Sequence, residues 1–430
     1  MRSGIAWSAS RWRGRFFAIW TGQAFSLFGS QLVQFALVWW LTEKTGSGVV
    51  LVLATLAAVL PQVVLGPFVG TLVDRWDRRL TMIVADGATA AATLCLAILF
   101  ALGVARLEHV YVALFVRSIG GGFHWPAMRA STTLMVPEAQ LSRVAGLNQV
   151  LQGAMSIVAP AAGAALLALV PLQGILAIDV VTALLAIVPL AFLQIPSVVR
   201  SAASGAGTFT RDLAEGFRFV VSWRGLLATA AIAALLNFLM APAGSLLPLL
   251  VSRHFQGTAV HFAAANMAFG VGVVAGGAIL AAWGGFRRRM VTSLAAIILM
   301  GVATLAVGLA PSAFFALAVG AMGVVGIAQS MANGPIGAAL QASVPPELQG
   351  RVFTLVSAGS SAMMPLGLAV AGPLSDIVGA GMWFLLAGSA CLILGIAGLF
   401  VPAIVRLEED GAKLAARRAA ATSPTAADGL

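Results

Sequence analysis

The chain has 430 residues, of which 60% are hydrophobic and only 9% are charged, and its mean hydropathy is +0.99. A soluble domain needs far more charge to cover its surface, so this composition excludes one and indicates a protein that crosses a membrane many times. The two cysteines, Cys95 and Cys391, both lie in apolar segments, which excludes a disulfide framework. The net charge of +10 would suit a nucleic-acid-binding protein, but its placement along the chain has another explanation.

The first apolar segment follows three arginines, Arg11, Arg13 and Arg15. This segment, 16–41, is longer than a signal-peptide core and no small-residue cleavage site follows it, so it predicts an uncleaved first span. Eleven further segments reach the ~20 residues that cross a bilayer. The predicted spans are 16–41, 49–73, 80–103, 110–135, 144–169, 172–195, 225–251, 261–284, 290–310, 312–340, 352–375 and 382–405.

The basic residues lie mainly on one side of these spans. Of the 25 lysines and arginines, 21 fall on the side that holds both termini and three, Lys44, Arg106 and Arg253, on the opposite side, while Arg117 lies inside a span. Loops rich in lysine and arginine stay in the cytoplasm. The distribution therefore predicts that both termini are cytoplasmic, and it explains the positive charge by orientation in the membrane rather than by nucleic-acid binding.

A short charged turn, GTLVDRWDRR, joins the second and third spans. It resembles the signature between the second and third helices of the major facilitator superfamily (Gly-x-x-x-Asp-Arg-x-Gly-Arg-Arg/Lys), although Asp77 stands where most members have glycine. With the segments TGQAFSL, WWLTEKTGS and VRSIGGGFHWPA, the chain is similar to the macrolide-efflux branch, a group of drug:proton antiporters. The turn is expected to act as a conformational gate, in which Asp74 accepts hydrogen bonds or pairs with an arginine in one conformer. The matching residues are Gly70, Asp74, Arg75, Arg78 and Arg79.

The resemblance implies an all-α membrane protein with twelve transmembrane helices in two pseudo-symmetric six-helix halves. A trace of duplication agrees with this, because Val136-Pro137 recurs as Val344-Pro345, 208 residues later. We expect the two halves at 1–195 and 225–405, a cytoplasmic linker at 196–224, and a disordered cytoplasmic tail at 406–430.

The linker contains a segment of helical periodicity. Leu213, Phe217, Val220 and Val221 fall on one helical face, after a flexible stretch at 201–207. The pattern predicts an amphipathic helix that lies in the membrane surface. A tether without further function is the alternative.

No motif of the chain predicts an enzyme. Neither lysine, Lys44 nor Lys413, follows a glycine, so a phosphate-binding loop is absent, and the zinc motif HExxH is absent too. We therefore expect no cofactor and no metal. An ion gradient remains as the energy source, and the resemblance implies that protons provide it. The expected partners are a small-molecule substrate, protons and the lipid bilayer, without nucleic acid, and the chain is expected to act as a monomer.

Polar residues inside spans are costly in lipid, so they indicate a cavity or a partner helix. Spans 1, 4, 7 and 10 each carry such residues on one face, and in the resembled fold these four spans line the central path. Amides, thioethers and an aromatic ring suit a bulky amphipathic guest, whereas interhelical hydrogen bonding is the alternative. The candidate cavity residues are Gln23, Ser30, Gln34, Gly121, Trp125, Met128, Asn237, Met240, Met322, Gln329 and Asn333.

Four ionisable residues inside spans are candidates for proton coupling. Arg117 and Asp179 each lie seven residues into spans that begin on the same side, about 10 Å deep, so we predict that they interact. Asp86 lies ~10 Å away in depth within a ~30 Å core and is the poorer partner. His124 follows Arg117 by two helical turns on the same face and has a side chain able to relay a proton near neutral pH. A purely structural ion pair is the alternative.

These patterns together predict a secondary active exporter in the inner (cytoplasmic) membrane of a bacterium, with bulky amphipathic substrates of macrolide or multidrug type and an alternating-access mechanism. The nearest alternative is export of a siderophore or another metabolite. A non-transporting membrane receptor or scaffold on the same fold is the alternative of another class, but such a protein has little use for polar faces on four spans.

Overall fold

The computed structural model describes residues 12–193, 195 and 206–411. Within these residues the regular secondary structure is entirely helical. A π-helical turn, Leu250–His254, extends the helix Arg224–Leu249. The helices are α1 Trp12–Thr45, α2 Gly48–Arg75, α3 Arg78–Ala101, α4 Leu107–Met135, α5 Glu138–Leu169, α6 Leu172–Phe192, α7 Ala206–Ser222, α8 Arg224–Leu249, α9 Ala259–Trp283, α10 Arg289–Leu309, α11 Phe315–Ser343, α12 Pro346–Val378, α13 Ala380–Leu399 and α14 Pro402–Val405.

Every predicted span overlaps one long helix, although the last, 382–405, also includes the break after Leu399 and the short helix α14. Eleven of the described helices are long and apolar enough to cross a membrane. The remaining predicted span is the fourth, α4. It has 29 residues but carries Arg117, His124 and Arg129, which lower its mean hydropathy. The 21 basic residues counted above on the side of the termini include Arg129, but this residue lies within α4, so it belongs with Arg117 among the basic residues inside spans.

Polar caps fix where several helices begin. Ser47 precedes α2, and its Oγ accepts a hydrogen bond from the Val50 amide at 3.4 Å. Asp77 precedes α3, and its Oδ1 accepts from the Leu80 amide at 2.9 Å. Such caps satisfy N–H groups that have no partner inside the helix. Asp77 therefore caps α3 with its side chain, whereas glycine, the common residue of the superfamily here, has no side chain to accept this bond.

The first compact unit holds the described residues between 12 and 195, together with Ser245–Met267 and Ala371–Ile377. In it, α1 packs along α6, α3 packs against α4 and α6, and α2 packs against α4. Glycines allow the closest of these approaches. A methyl group on Gly22 would lie 2.8 Å from the Leu185 carbonyl oxygen, and one on Gly29 would lie 3.0 Å from the Asp179 carboxylate. Small residues at helix contacts are the usual means of close packing in membranes.

The second unit holds 206–244, Ala268–Val370 and the described residues from 378 onward. Here α10 packs against α11 and α13. Gly301 and Gly388 meet at one of these contacts, since a methyl group on Gly301 would lie 2.8 Å from the Gly388 carbonyl oxygen. The helix axes can approach this closely only because both residues lack a side chain.

The linker contains the predicted helix, α7, and this helix is anchored as well as amphipathic. Phe219 and Val220 are buried, and Arg351 of α12 donates to Glu215 at 2.5 Å. Phe217 is 58% exposed and Val221 is 46% exposed. An ion pair and two buried side chains hold α7 in place, and a tether without further function stays the alternative. Its position in the membrane surface stays a prediction, and Leu213 is not among the residues with a described side chain.

The segment after α14 differs from the predicted disordered tail. Residues 407–411 are helical, and Glu408 and Glu409 pair with Arg289 at 3.3 Å and with Arg288 at 3.0 Å. The prediction is therefore wrong for 406–411, because these two acids complement the arginines at the start of α10. Residues 412–430 lie outside the described part of the chain.

Candidate functional site

A cavity of about 340 Å³ lies inside the first unit, between side chains of helices α1 to α6. It contains polar side chains, two tryptophans and four ionisable side chains. Trp125 is 41% exposed, which leaves its ring free to contact a guest. The cavity-lining residues that the sequence predicts in this half of the chain are Gln23, Ser30, Gln34, Gly121, Trp125 and Met128.

Helices α2 and α5 also line the cavity, which the sequence did not predict. Gln62 reaches it from α2, and Asn148, Gln149 and Gln152 reach it from α5. The Nε1 of Trp20 donates to Asn148 Oδ1 at 2.8 Å, which links α1 to α5 at the cavity wall. The signal for these residues was present, because Asn148 and Gln152 are four residues apart on one helical face of an otherwise apolar span. The family resemblance, which assigns the central path to spans 1, 4, 7 and 10, does not indicate them.

Arg117 and Asp179 contact each other directly, as their equal depth predicts. The Asp179 side chain is 1% exposed and that of Arg117 is 10% exposed. Two hydroxyls complete the carboxylate's bonding, with Thr93 donating at 3.1 Å and Ser30 at 3.2 Å. Arg117 also donates to Thr93. The group therefore joins α1, α3, α4 and α6, and each oxygen of Asp179 accepts at least one hydrogen bond.

Asp86 and His124 form a second, more sparsely bonded group at the cavity wall. Gln23 donates to Asp86 Oδ2 at 3.1 Å, and His124 Nε2 lies 3.6 Å from Asp86 Oδ1. That separation is too long for a hydrogen bond, and the nitrogen is buried with no hydrogen-bond partner among the described residues. A buried polar atom without a partner is costly. A small displacement, or a proton between the two groups, would complete the bond.

The two groups differ in what they can do. Asp179 already has an arginine and two hydroxyls, so a proton on it would have to displace an existing bond. Asp86 has one neutral donor and an imidazole nearby, so it can gain or lose a proton without breaking an ion pair. The geometry suits the first group to holding helices together and the second to exchanging protons.

The charged turn is described in part. Arg78 Nη1 donates to the Ala130 carbonyl of α4 at 3.2 Å, and Arg79 donates to the Leu190 and Ala191 carbonyls at the end of α6. The last carbonyls of a helix have no partner within the helix, so Arg79 satisfies acceptors that would otherwise need water. The side chains of Asp74 and Arg75, and the surroundings of Gly70, are not among those described, so their role in a gate stays a prediction.

Comparison with known proteins identifies the family. A family model described as "Transmembrane secretion effector" matches residues 6–425. The chain belongs to this family. This major facilitator chain is 37% identical to macrolide efflux protein A of Streptococcus pyogenes over 399 residues, 93% of this chain and 98% of that protein. It is 27% identical to the multidrug efflux pump Tap of Mycolicibacterium fortuitum over 398 residues, 88% and 94% of the two chains. The predicted resemblance to the macrolide-efflux branch is confirmed.

The fold is confirmed by a solved structure. The crystal structure of the nucleoside transporter NupG matches this major facilitator chain with a TM-score of 0.67, covering 90% of this chain and 98% of that one at 15% identity. An identity this low establishes the fold alone. The chain is therefore a multi-pass membrane protein of the major facilitator fold.

In this major facilitator chain the remaining predicted cavity residues belong to the second unit. The Asn237 amide donates to the Ala233 carbonyl at 3.0 Å, one turn back in α8, so its bonding is local. Gln329 and Met240 are half-buried. None of the predicted cavity residues of the second unit lines the cavity of the first unit. Their role as a substrate wall stays a prediction. They are Asn237, Met240, Met322, Gln329 and Asn333.

Proposed function

We propose that this chain exports bulky amphipathic small molecules of macrolide or multidrug type from a bacterial cell, in exchange for protons. The polar cavity of the first unit, with Asp86 and His124 at its wall, is the observation that carries this proposal. Relatives named macrolide efflux protein A and multidrug efflux pump Tap support the substrate class. The chain then lies in the cytoplasmic membrane with both termini in the cytoplasm, acts as a monomer and catalyses no covalent reaction.

The cavity suits a large amphipathic guest better than a small ion. Trp20 and Trp125 offer ring faces, while Gln23, Gln62 and Gln152 offer amides that both donate and accept hydrogen bonds. Ring faces and amides tolerate guests of different shape, because neither requires a single bond geometry. A volume of about 340 Å³ in one unit accommodates part of such a molecule.

Proton coupling in this proposal uses the two charged groups differently. Asp86 and His124 bind one proton in one conformer and release it in the other, at Asp86 Oδ1 or His124 Nε2. Arg117 and Asp179 position the helices that carry them, since Arg117 is seven residues from His124 on α4 and Thr93 is seven residues from Asp86 on α3. A change in the packing around Asp179 therefore moves both members of the exchanging group.

The test uses purified protein in proteoliposomes, with erythromycin as the macrolide and an imposed pH gradient. We expect Asp86→Asn and His124→Gln each to lower gradient-driven erythromycin transport at least tenfold. Binding of erythromycin to the same variants in detergent separates loss of coupling from loss of the substrate site. Glu43→Gln is the control, because it removes an exposed acid that does not line the cavity.

Two outcomes would contradict the proposal. Wild-type response to the pH gradient in both variants would refute coupling through this group. Failure of the wild-type protein to raise macrolide resistance in a bacterium without its own pumps, with growth instead dependent on metabolite export, would favour the siderophore or metabolite exporter.

A further inference from the structure

A contact between α12 and the start of α2 has no role in the function proposed above. Asp376, near the end of α12, accepts three hydrogen bonds from the first residues of α2. The Ser47 hydroxyl donates at 2.7 Å, the Gly48 amide at 2.5 Å and the Val49 amide at 3.3 Å. A carboxylate at a helix N-terminus is favourable, because the amide groups there carry partial positive charge and have no partner in the helix.

The packing at this contact requires glycine on both helices. A methyl group on Gly48 would lie 3.1 Å from Ser375 Cβ, and it would also contact the Ser375 hydroxyl. A methyl group on Gly372 would lie 3.3 Å from Val49 Cα and from Val52 Cβ. Ser375 is buried. The approach of the two helices is therefore close enough to exclude water from part of the contact.

Other segments from the second half of the sequence pack on the same end of α1. The Phe262 ring of α9 stacks on Phe35 at 5.0 Å and on Trp39 at 5.8 Å. Arg253 approaches Gly46, where a side-chain methyl would lie 2.9 Å from the guanidinium carbon. Gly46 has a φ of 58°, a conformation that glycine adopts without strain. On this side of the membrane, predicted to be external, the first and second halves of the sequence are thus in direct contact.

We propose that Asp376 is a gate residue that holds the external side of the transporter closed by capping α2. Alternating access requires the external ends of the two halves to separate, and the three bonds to Asp376 must then break. Asp74, at the opposite end of α2, is the gate residue that the charged turn predicts. Each end of α2 therefore has an acid assigned to it, and Asp376 is the one whose contacts the structure describes.

Ser47 allows this gate to open at low cost. Its hydroxyl donates to Asp376 and also accepts from the Val50 amide at 3.4 Å, a long bond in the closed state. Serine is itself a favourable helix cap. When Asp376 leaves, Ser47 can cap α2 alone, so the helix does not have to unwind. The N-terminus of α2 thus has a cap in both states, which favours reversible exchange over unfolding.

The experiment measures how often the cavity opens to the outside. The protein carries Gln34→Cys at the cavity wall in a background without Cys95 and Cys391, and intact cells are treated with a membrane-impermeant maleimide. We expect Asp376→Asn to raise the labelling rate about three- to tenfold, because loss of the charge weakens the bonds that favour the closed state. Glu43→Gln, which removes an exposed acid on the same side, should leave the rate unchanged.

Labelling needs no transported substrate, so the result is independent of which molecule the protein exports. An unchanged labelling rate in folded Asp376→Asn, or a lower yield of folded protein with no change in rate, would overturn the proposal. A double-cysteine variant provides a second test that does not depend on Asp376→Asn. Ser47→Cys with Asp376→Cys should form a disulfide on oxidation that stops transport and reverses with reductant, and undiminished transport by the linked protein would overturn the proposal as well.

Discussion

Replacement of Asp179 by asparagine tests the buried ion pair. The change leaves the Arg117 guanidinium, which is 10% exposed, without an anion, and among the described residues its other acceptors are the neutral Thr93 hydroxyl and the Ser30 carbonyl oxygen at 3.4 Å. Removal of one partner from a buried pair costs about 3–5 kcal/mol, because the other charge remains buried without compensation. Membrane-insertion scales for a charged side chain at a helix centre give a similar ~3 kcal/mol.

The double variant, Asp179→Asn with Arg117→Gln, removes both charges and leaves two amides able to bond with Thr93 and Ser30. Its cost is then a loss of neutral hydrogen bonds, about 1 kcal/mol each. We therefore expect the double variant to be more stable than Asp179→Asn alone by about 2–3 kcal/mol. Thermal unfolding in detergent and the yield of monodisperse protein measure this difference.

The complete cycle also includes Arg117→Gln alone, which leaves Asp179 with two hydroxyls but no cation. Additive losses across the four proteins would refute the reasoning, since they would mean that the two side chains do not depend on each other. Transport driven by a pH gradient distinguishes the two roles of the pair. Intact coupling in a folded double variant would make the pair structural only.

Three further predictions concern the charged turn and the topology. Asp74→Asn should insert and fold but transport poorly, because a lost charge-assisted bond of ~1–3 kcal/mol shifts a balanced two-state population, and wild-type efflux at normal expression would refute this. Asp77→Gly should transport normally and lose only a few tenths of a kcal/mol, the usual difference between the two residues at a helix cap, so a large drop in unfolding temperature would contradict it. Lys44→Cys should react with an impermeant maleimide on intact cells and Arg143→Cys should not, since both positions are exposed but lie on opposite predicted sides. Labelling of Arg143→Cys would mean that the predicted topology is wrong.

The sequence by itself determined the helices and their order. Apolar segments of membrane length can satisfy their backbone only as helices in lipid, so composition alone predicts them. It also determined the pairing of Arg117 with Asp179, because depth in the membrane follows directly from position along a helix of fixed rise. Resemblance at the charged turn added the fold, which the family comparison confirmed.

Only the tertiary structure decided which faces meet. Gln62 and Gln152 point into the cavity because of how α2 and α5 are rotated about their axes, and span order does not fix that rotation. Asp376 and Gly48 are 328 residues apart, and nothing in the sequence indicates that Asp376 caps the helix that begins at Gly48. The ion pairs of Glu408 and Glu409 likewise depend on arginines more than a hundred residues earlier in the chain. Contacts of this kind depend on packing between distant helices, whereas local periodicity describes each helix alone.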